Sequence, residues 1–130
     1  MDYTPEKIAE FEEMLRTLEL ISASDRIVEV DKGDYWEKIL CFYSQVRGTY
    51  YYTEEAVCFV GGFAGSTNWS VKYKDIKKIE KCLIGFFMPF GIRVHYYDEK
   101  KDKIRKHKMS VLKRDRWIAF LTERSSNLSE

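Results

Sequence analysis

The stretch from Gly48 to Lys81 constrains the chain most. Aromatic and β-branched residues come there in short runs, Thr49–Thr53, Ala56–Val60 and Trp69–Tyr73, separated by Gly, Ser, Thr, Asn and a Glu pair. Such punctuation predicts short antiparallel strands joined by tight turns. The Glu54-Glu55 pair marks a hairpin. Gly61-Gly62-Phe63-Ala64-Gly65-Ser66 reads as a wide connection, because it lacks the Lys and the spacing of a phosphate-cradling loop. Trp69, Val71 and Tyr73 alternate with Ser70, Lys72 and Lys74, as on a half-buried strand.

Before this stretch the sequence predicts a helix over residues 4–20. Thr4 is placed to cap it, Pro5 suits its first position, and Glu6 complements its positive end. Ile8, Phe11, Leu15 and Leu18 form one apolar stripe, with Glu10, Glu12, Glu13 and Arg16 opposite. Asp25 to Asp31 reads as extended, Asp31–Asp34 as a turn, and the apolar run Lys38–Val46 as a strand covered on both faces. Arg47 and Gly48 are expected to turn the chain.

After the stretch, Gly85, Pro89 and Gly91 break the run of residues 83–92. Ile92, Val94 and Tyr96 alternate along a further strand, and residues 98–102 form a polar tip. Lys103–Val111 returns. Ile104 and Met109 have opposite parity, which predicts a bulge or a frayed, solvent-exposed start. Lys113 to Arg124 reads as a closing helix on Trp117, Phe120 and Leu121. The expected architecture is mainly β within the α+β class. About seven strands form a bent sheet or partly open barrel, capped by a C-terminal helix and preceded by an extra N-terminal helix.

The ordered motifs from residue 38 to 124 resemble the GRAM domain of the pleckstrin-homology superfamily. Phe42-Tyr43-Ser44 resembles the end of its first strand, and Gly48–Thr53 its aromatic hairpin entry. Val57–Val60 is similar to its return strand. Tyr73–Lys81, with Asp75-Ile76 and Ile79-Glu80-Lys81, is the most specific match. Phe87–Ile92 and Arg114–Trp117 resemble the approach to the sixth strand and the start of the closing helix. The resemblance covers residues 38–124 as the domain and has no counterpart for residues 1–37, which read as helix and linker, with 125–130 as a tail. It implies a scaffold that binds anionic lipid or protein segments and does not catalyse. Lipid-binding relatives carry several cations between their first two strands. Here Arg47 alone is expected there, which speaks against the usual inositol-phosphate pocket.

Charge is distributed unevenly although the net is only +1. Residues 1–37 hold 11 acidic and 4 basic side chains, whereas residues 93–116 hold 10 basic and 4 acidic. The basic segment supplies the candidate anion-binding residues: Lys100, Lys101, Lys103, Arg105, Lys106 and Lys108, then Lys113, Arg114 and Arg116, with Arg47 from the earlier loop. The same charges would guard an edge strand against aggregation. Phe86, Phe87, Met88 and Phe90 form a candidate apolar contact for a membrane or a protein. The expected partner is an anionic lipid, met peripherally at the inner face of a membrane. The alternative is a protein partner or a second copy of the chain.

Nucleic acid is not expected, since the net charge is small and no RNA-binding motif is present. Three cysteines without a CxxC pair, Cys41, Cys58 and Cys82, predict small hydrophobes in a reducing, cytoplasmic setting and no metal site. His95 and His107 are the only histidines, and neither stands in an activating motif. No catalytic residue and no cofactor are expected.

Overall fold

The computed structural model describes residues 2–85 and 87–126. They form α1 (Pro5–Thr17), β1 (Ile27–Ile39), β2 (Phe42–Thr53), β3 (Ala56–Gly61), β4 (Thr67–Lys72), β5 (Ile76–Ile84), β6 (Met88–Asp98), β7 (Lys103–Ser110) and α2 (Arg114–Arg124), with short 3-10 turns at Phe63–Gly65 and Tyr73–Asp75. The strands make one antiparallel sheet in the order β4-β3-β2-β1-β7-β6-β5. It is bent but not closed, so β4 and β5 remain edges.

The Tyr50-Tyr51-Tyr52 run shows how strand parity builds two cores. Tyr50 and Tyr52 point inward and pack with Phe59, Ile92, Met109, Trp117 and Leu121. Tyr51 points outward and packs with Leu15, Ile27, Ala56 and Cys58 beneath α1. Trp117 anchors α2 over the inner core. Its ring stacks on Tyr52 at 4.0 Å, and its Nε1–H donates to Asp31 Oδ2 at 2.7 Å.

Three glycines lie side by side on β1, β2 and β3, with Gly48 opposite both Gly33 and Gly61. A Cβ on Gly33 would stand 2.6 Å from the Ser110 carbonyl oxygen, and one on Gly61 would stand 2.6 Å from the Phe59 ring. The missing side chains let β7 cross β1 closely and let the sheet bend over Phe59.

α1 is seated as its caps predict, with Thr4 Oγ1 accepting from the Lys7 N–H at 3.2 Å. Glu12, however, is not on the outer face. It is buried, and it accepts from the Ile27 N–H at 2.9 Å and from Arg26 at 3.2 Å.

Four local expectations change. Asp31–Asp34 is the middle of β1 and not a turn, because Asp31 and Asp34 find partners in Trp117 and Gln45. The run Lys38–Val46 is the end of one hairpin, turning at Leu40 and Cys41, with Leu40 at φ +56°. Arg47 and Gly48 lie inside β2, and the division expected at residue 38 falls inside β1. Of the two outcomes expected for β7, the solvent-exposed start holds, with Lys103 and Ile104 exposed, while the register with β6 is continuous from Asp98↔Lys103 to Gly91↔Ser110 and leaves no bulge. The parity conflict is resolved by exposing Ile104 and burying His107.

Candidate functional site

Paired residues on neighbouring strands share a face, so the register maps the outer surface directly. Opposite Lys38 is Tyr43, and opposite Asp34 are Arg47 on β2 and Ser110 on β7. Arg93 faces Lys108 and His95 faces Lys106, while Lys78 and Glu80 continue the same rows on β5. α1 covers this outer face around Val30, Tyr51 and Val60. The rows running from β1 across β7 to β5 are basic. Lys106 and Lys108 follow from β7, Arg93 from β6 and Lys78 from β5, against two carboxylates, Glu80 on β5 and Asp34 on β1, the latter accepting from Gln45 at 2.6 Å. Glu80 binds His95 at 2.8 Å, Arg93 at 3.3 Å and Lys78 at 3.5 Å. The His95 hydrogen bond, followed by that of Arg93, pulls the Glu80 carboxyl down to about 2. Lys108 Nζ sits 4.6 Å over the Tyr43 ring.

β1 and β7 pair through Asp34↔Ser110 and Tyr35↔Met109. Toward the β1–β2 tip a depression of about 500 Å3 opens, lined by Lys38, His95, Lys103, Ile104, Arg105 and Lys106. Among the described residues no carboxylate lines it. Beside it the β1–β2 tip exposes Ile39, Leu40 and Phe42, at 41%, 87% and 56% of their surface. An anion-attracting groove and a bare apolar tip therefore stand at one end of the sheet.

The basic residues expected from the sequence are divided between two ends. Lys103, Arg105 and Lys106 line the groove, and Lys108 follows on the outer face. Lys100 and Lys101 are exposed in the β6–β7 turn, where Asp98 Oδ1 accepts from their backbone N–H groups. Arg105 is tied to Asp98 at 3.1 Å, and that bond holds the Asp98 carboxyl below its usual range. Lys113, Arg114 and Arg116 lie beyond the other end of β7, some 25 Å away by strand rise. Arg114 donates to the Cys82 carbonyl at 3.2 Å, and Arg116 pairs with Glu29 at 3.4 Å while its guanidinium lies over Trp117. Arg47 is exposed, in a second groove with Lys32 and Leu112.

Phe86 lies outside the described residues. Phe87 and Met88 are exposed at 78% and 46%, and Phe90 is half-buried. The Val111 N–H donates to the Phe90 carbonyl at 3.0 Å, which brings this turn beside Leu112 and Lys113 rather than beside the Lys103–Lys106 groove.

Two features escaped sequence reasoning. The tip was hidden because Ile39-Leu40-Cys41-Phe42 has no turn residue and reads as buried strand. His107 was hidden in a Lys-rich run. It is buried between Tyr35 and Tyr96, whose hydroxyls lie 3.0 Å from Nδ1 and from Nε2, and it stacks on Trp69 at 4.1 Å. Burial, aided by the nearby Arg105, pushes His107 down to about 3, so it is neutral. Its position opposite Val94 was the available signal.

No protein-family model and no curated protein matches the chain. Solved structures do. The C-terminal domain of an unknown protein from Leishmania infantum aligns with TM-score 0.64 and 18% identity, over 89% of this chain and 94% of that one. The hSac2 domain of the human phosphoinositide phosphatase Sac2 aligns with TM-score 0.57 and 13% identity, over 98% and 88%. The N-terminal PH domain of Vps36 aligns with TM-score 0.51 and 16% identity, over 83% and 82%. The fold is pleckstrin-homology-like.

In this PH-like fold the loop between the first two strands is the Leu40–Cys41 tip, not the Arg47 region, and Lys38 is the cation next to it. Among the described residues no three His, Cys, Asp or Glu side chains gather as a metal site, and no helix is long and apolar enough to cross a membrane.

Proposed function

We propose that the chain is a non-catalytic PH-like binding module of GRAM type that attaches to anionic membrane lipid. The groove lined by Lys38, Lys103, Arg105 and Lys106, without a carboxylate and beside the exposed Leu40 tip, carries this reading. Each cation near an anionic surface contributes roughly 1 kcal/mol, and the apolar tip adds burial in the acyl boundary. The unit runs from β1 to α2, with α1 as an added element and a peripheral position at the cytoplasmic face of a membrane. The fold likeness to a domain of a phosphoinositide phosphatase makes phosphoinositide vesicles a natural probe.

The test is co-sedimentation with neutral, phosphatidylserine and phosphoinositide vesicles at two salt concentrations. Wild type should pellet with anionic vesicles and release at high salt. A Lys38→Glu, Lys103→Glu, Lys106→Glu variant should stay in solution. Equal pelleting of the two proteins would sink the groove as the site.

A second reading is a protein-binding or self-assembling module. It is favoured by the separate patch of Leu83, Phe87, Met88 and Leu112, exposed at 51%, 78%, 46% and 80%. Sedimentation velocity of wild type and a Phe87→Ser, Met88→Ser variant distinguishes it. A concentration-dependent assembly lost in the variant would support this reading.

A further inference from the structure

We infer that the membrane meets this protein broadside, on the outer face of β1, β7, β6 and β5, and not only at the β1–β2 tip. The inference rests on the lipid-binding reading above and extends its contact surface. α1 packs over one half of the outer face, and among the described residues no element covers the other half. Bare sheet faces need a partner or a polar coat, and on this one cations outnumber the two carboxylates, Glu80 and Asp34. Lys106 and Lys108 alternate along β7 on that face, next to Arg93 on β6 and Lys78 on β5. Glu80 is already occupied by His95, Arg93 and Lys78. Lys32 and Arg47 extend the basic surface along β1 and β2 toward Leu112, around Asp34, whose carboxylate accepts from Gln45.

Exposed aliphatic side chains stand at both ends of this face. Leu40 is 87% exposed at the tip and Leu112 is 80% exposed where β7 ends, with Ile104 at 54% beside the groove. Cations in the middle and aliphatic side chains at the ends match a bilayer surface, which offers phosphates at one depth and acyl chains just below. A nucleic-acid strand fits less well. Aliphatic side chains do not stack on bases, and the Tyr43 ring on this face already lies under Lys108. End-on docking would use Leu40 and leave Lys78, Arg47 and Leu112 in water. Broadside docking uses them all.

The experiment places an environment-sensitive fluorophore at single cysteines on phosphatidylserine vesicles. Cys41→Ser and Cys82→Ser remove the accessible thiols, and the buried Cys58 stays. Labels then go at Leu40→Cys, Gln45→Cys, Leu112→Cys and, on α2 over the inner core, Glu123→Cys. Broadside docking predicts a blue shift and protection from an aqueous quencher at 40, 45 and 112, with no change at 123. In the unlabelled protein, Lys78→Glu with Lys108→Glu should weaken vesicle affinity by about tenfold or more although the groove is intact. A shift at 40 alone, with affinity unchanged by the Lys78 and Lys108 reversals, overturns the inference while leaving lipid binding in place. A shift at 123 overturns it as well. Absence of vesicle binding by the wild type overturns both readings. Tighter binding to a single-stranded oligonucleotide that displaces the protein from vesicles does the same.

Discussion

Lowering the pH from 6.5 to 5 should destabilise this protein through one buried side chain. His107 has an ordinary value of 6.5 once unfolded and about 3 in the fold, because burial disfavours its charged form. Between those values the unfolded chain binds a proton that the native state does not. Stability is therefore complete above about pH 6.5 and falls as pH drops toward 3. One proton of difference is worth about 1.4 kcal/mol per pH unit, so the fall to pH 5 is about 2 kcal/mol. That is a sizeable share of the roughly 5–15 kcal/mol of a typical domain. Urea unfolding followed by tryptophan fluorescence at pH 7, 6 and 5 measures it. His107→Phe supplies the control. It leaves the Tyr35 and Tyr96 hydroxyls without their partner, which should cost about 1–3 kcal/mol at pH 7, but its stability should then be nearly flat to pH 5. Equal acid slopes in wild type and variant would refute the reasoning.

Three further outcomes follow from the packing. Glu12→Ala strips the buried Ile27 N–H of its acceptor and should lose about 1–3 kcal/mol, with residues 1–20 cleaved faster in limited proteolysis. Trp117→Ala removes the stack on Tyr52 and the bond to Asp31, and thermal unfolding should report about 3–5 kcal/mol. Gly33→Val would drive a side chain into the Ser110 carbonyl and the Tyr50 ring, so the soluble yield and the cooperative transition should both collapse, whereas Gly85→Ala, in open space, should show only the modest strain of its positive φ.

The candidate site was partly legible. The lysines of residues 100–108 were visible as a charged run, but a run does not say which cations share a face. Strand register decides that, and it puts Lys106 beside Lys38, which is 68 positions away, while Arg114 and Arg116 go to the far end. Arg105 was visible as a cation, but its pairing with Asp98 came only from the hairpin fold.

What the chain determined on its own was local. Alternation at Trp69–Tyr73 and Ile92–Tyr96, the Thr4-Pro5 cap and the Trp117 stripe each express a period or a backbone preference, which needs no distant partner. Tertiary structure alone decided Asp31–Asp34, Glu12 and Leu40. Polar residues can lie within a strand or under a helix when a remote donor satisfies them, as the Trp117 N–H satisfies Asp31 and the Ile27 N–H satisfies Glu12. Apolar residues can stand in water at a hairpin tip when the two strands behind them are long enough to hold them there, as twelve pairs of β1 and β2 hold Leu40. Both outcomes depend on groups far away in sequence, and no local pattern contains them.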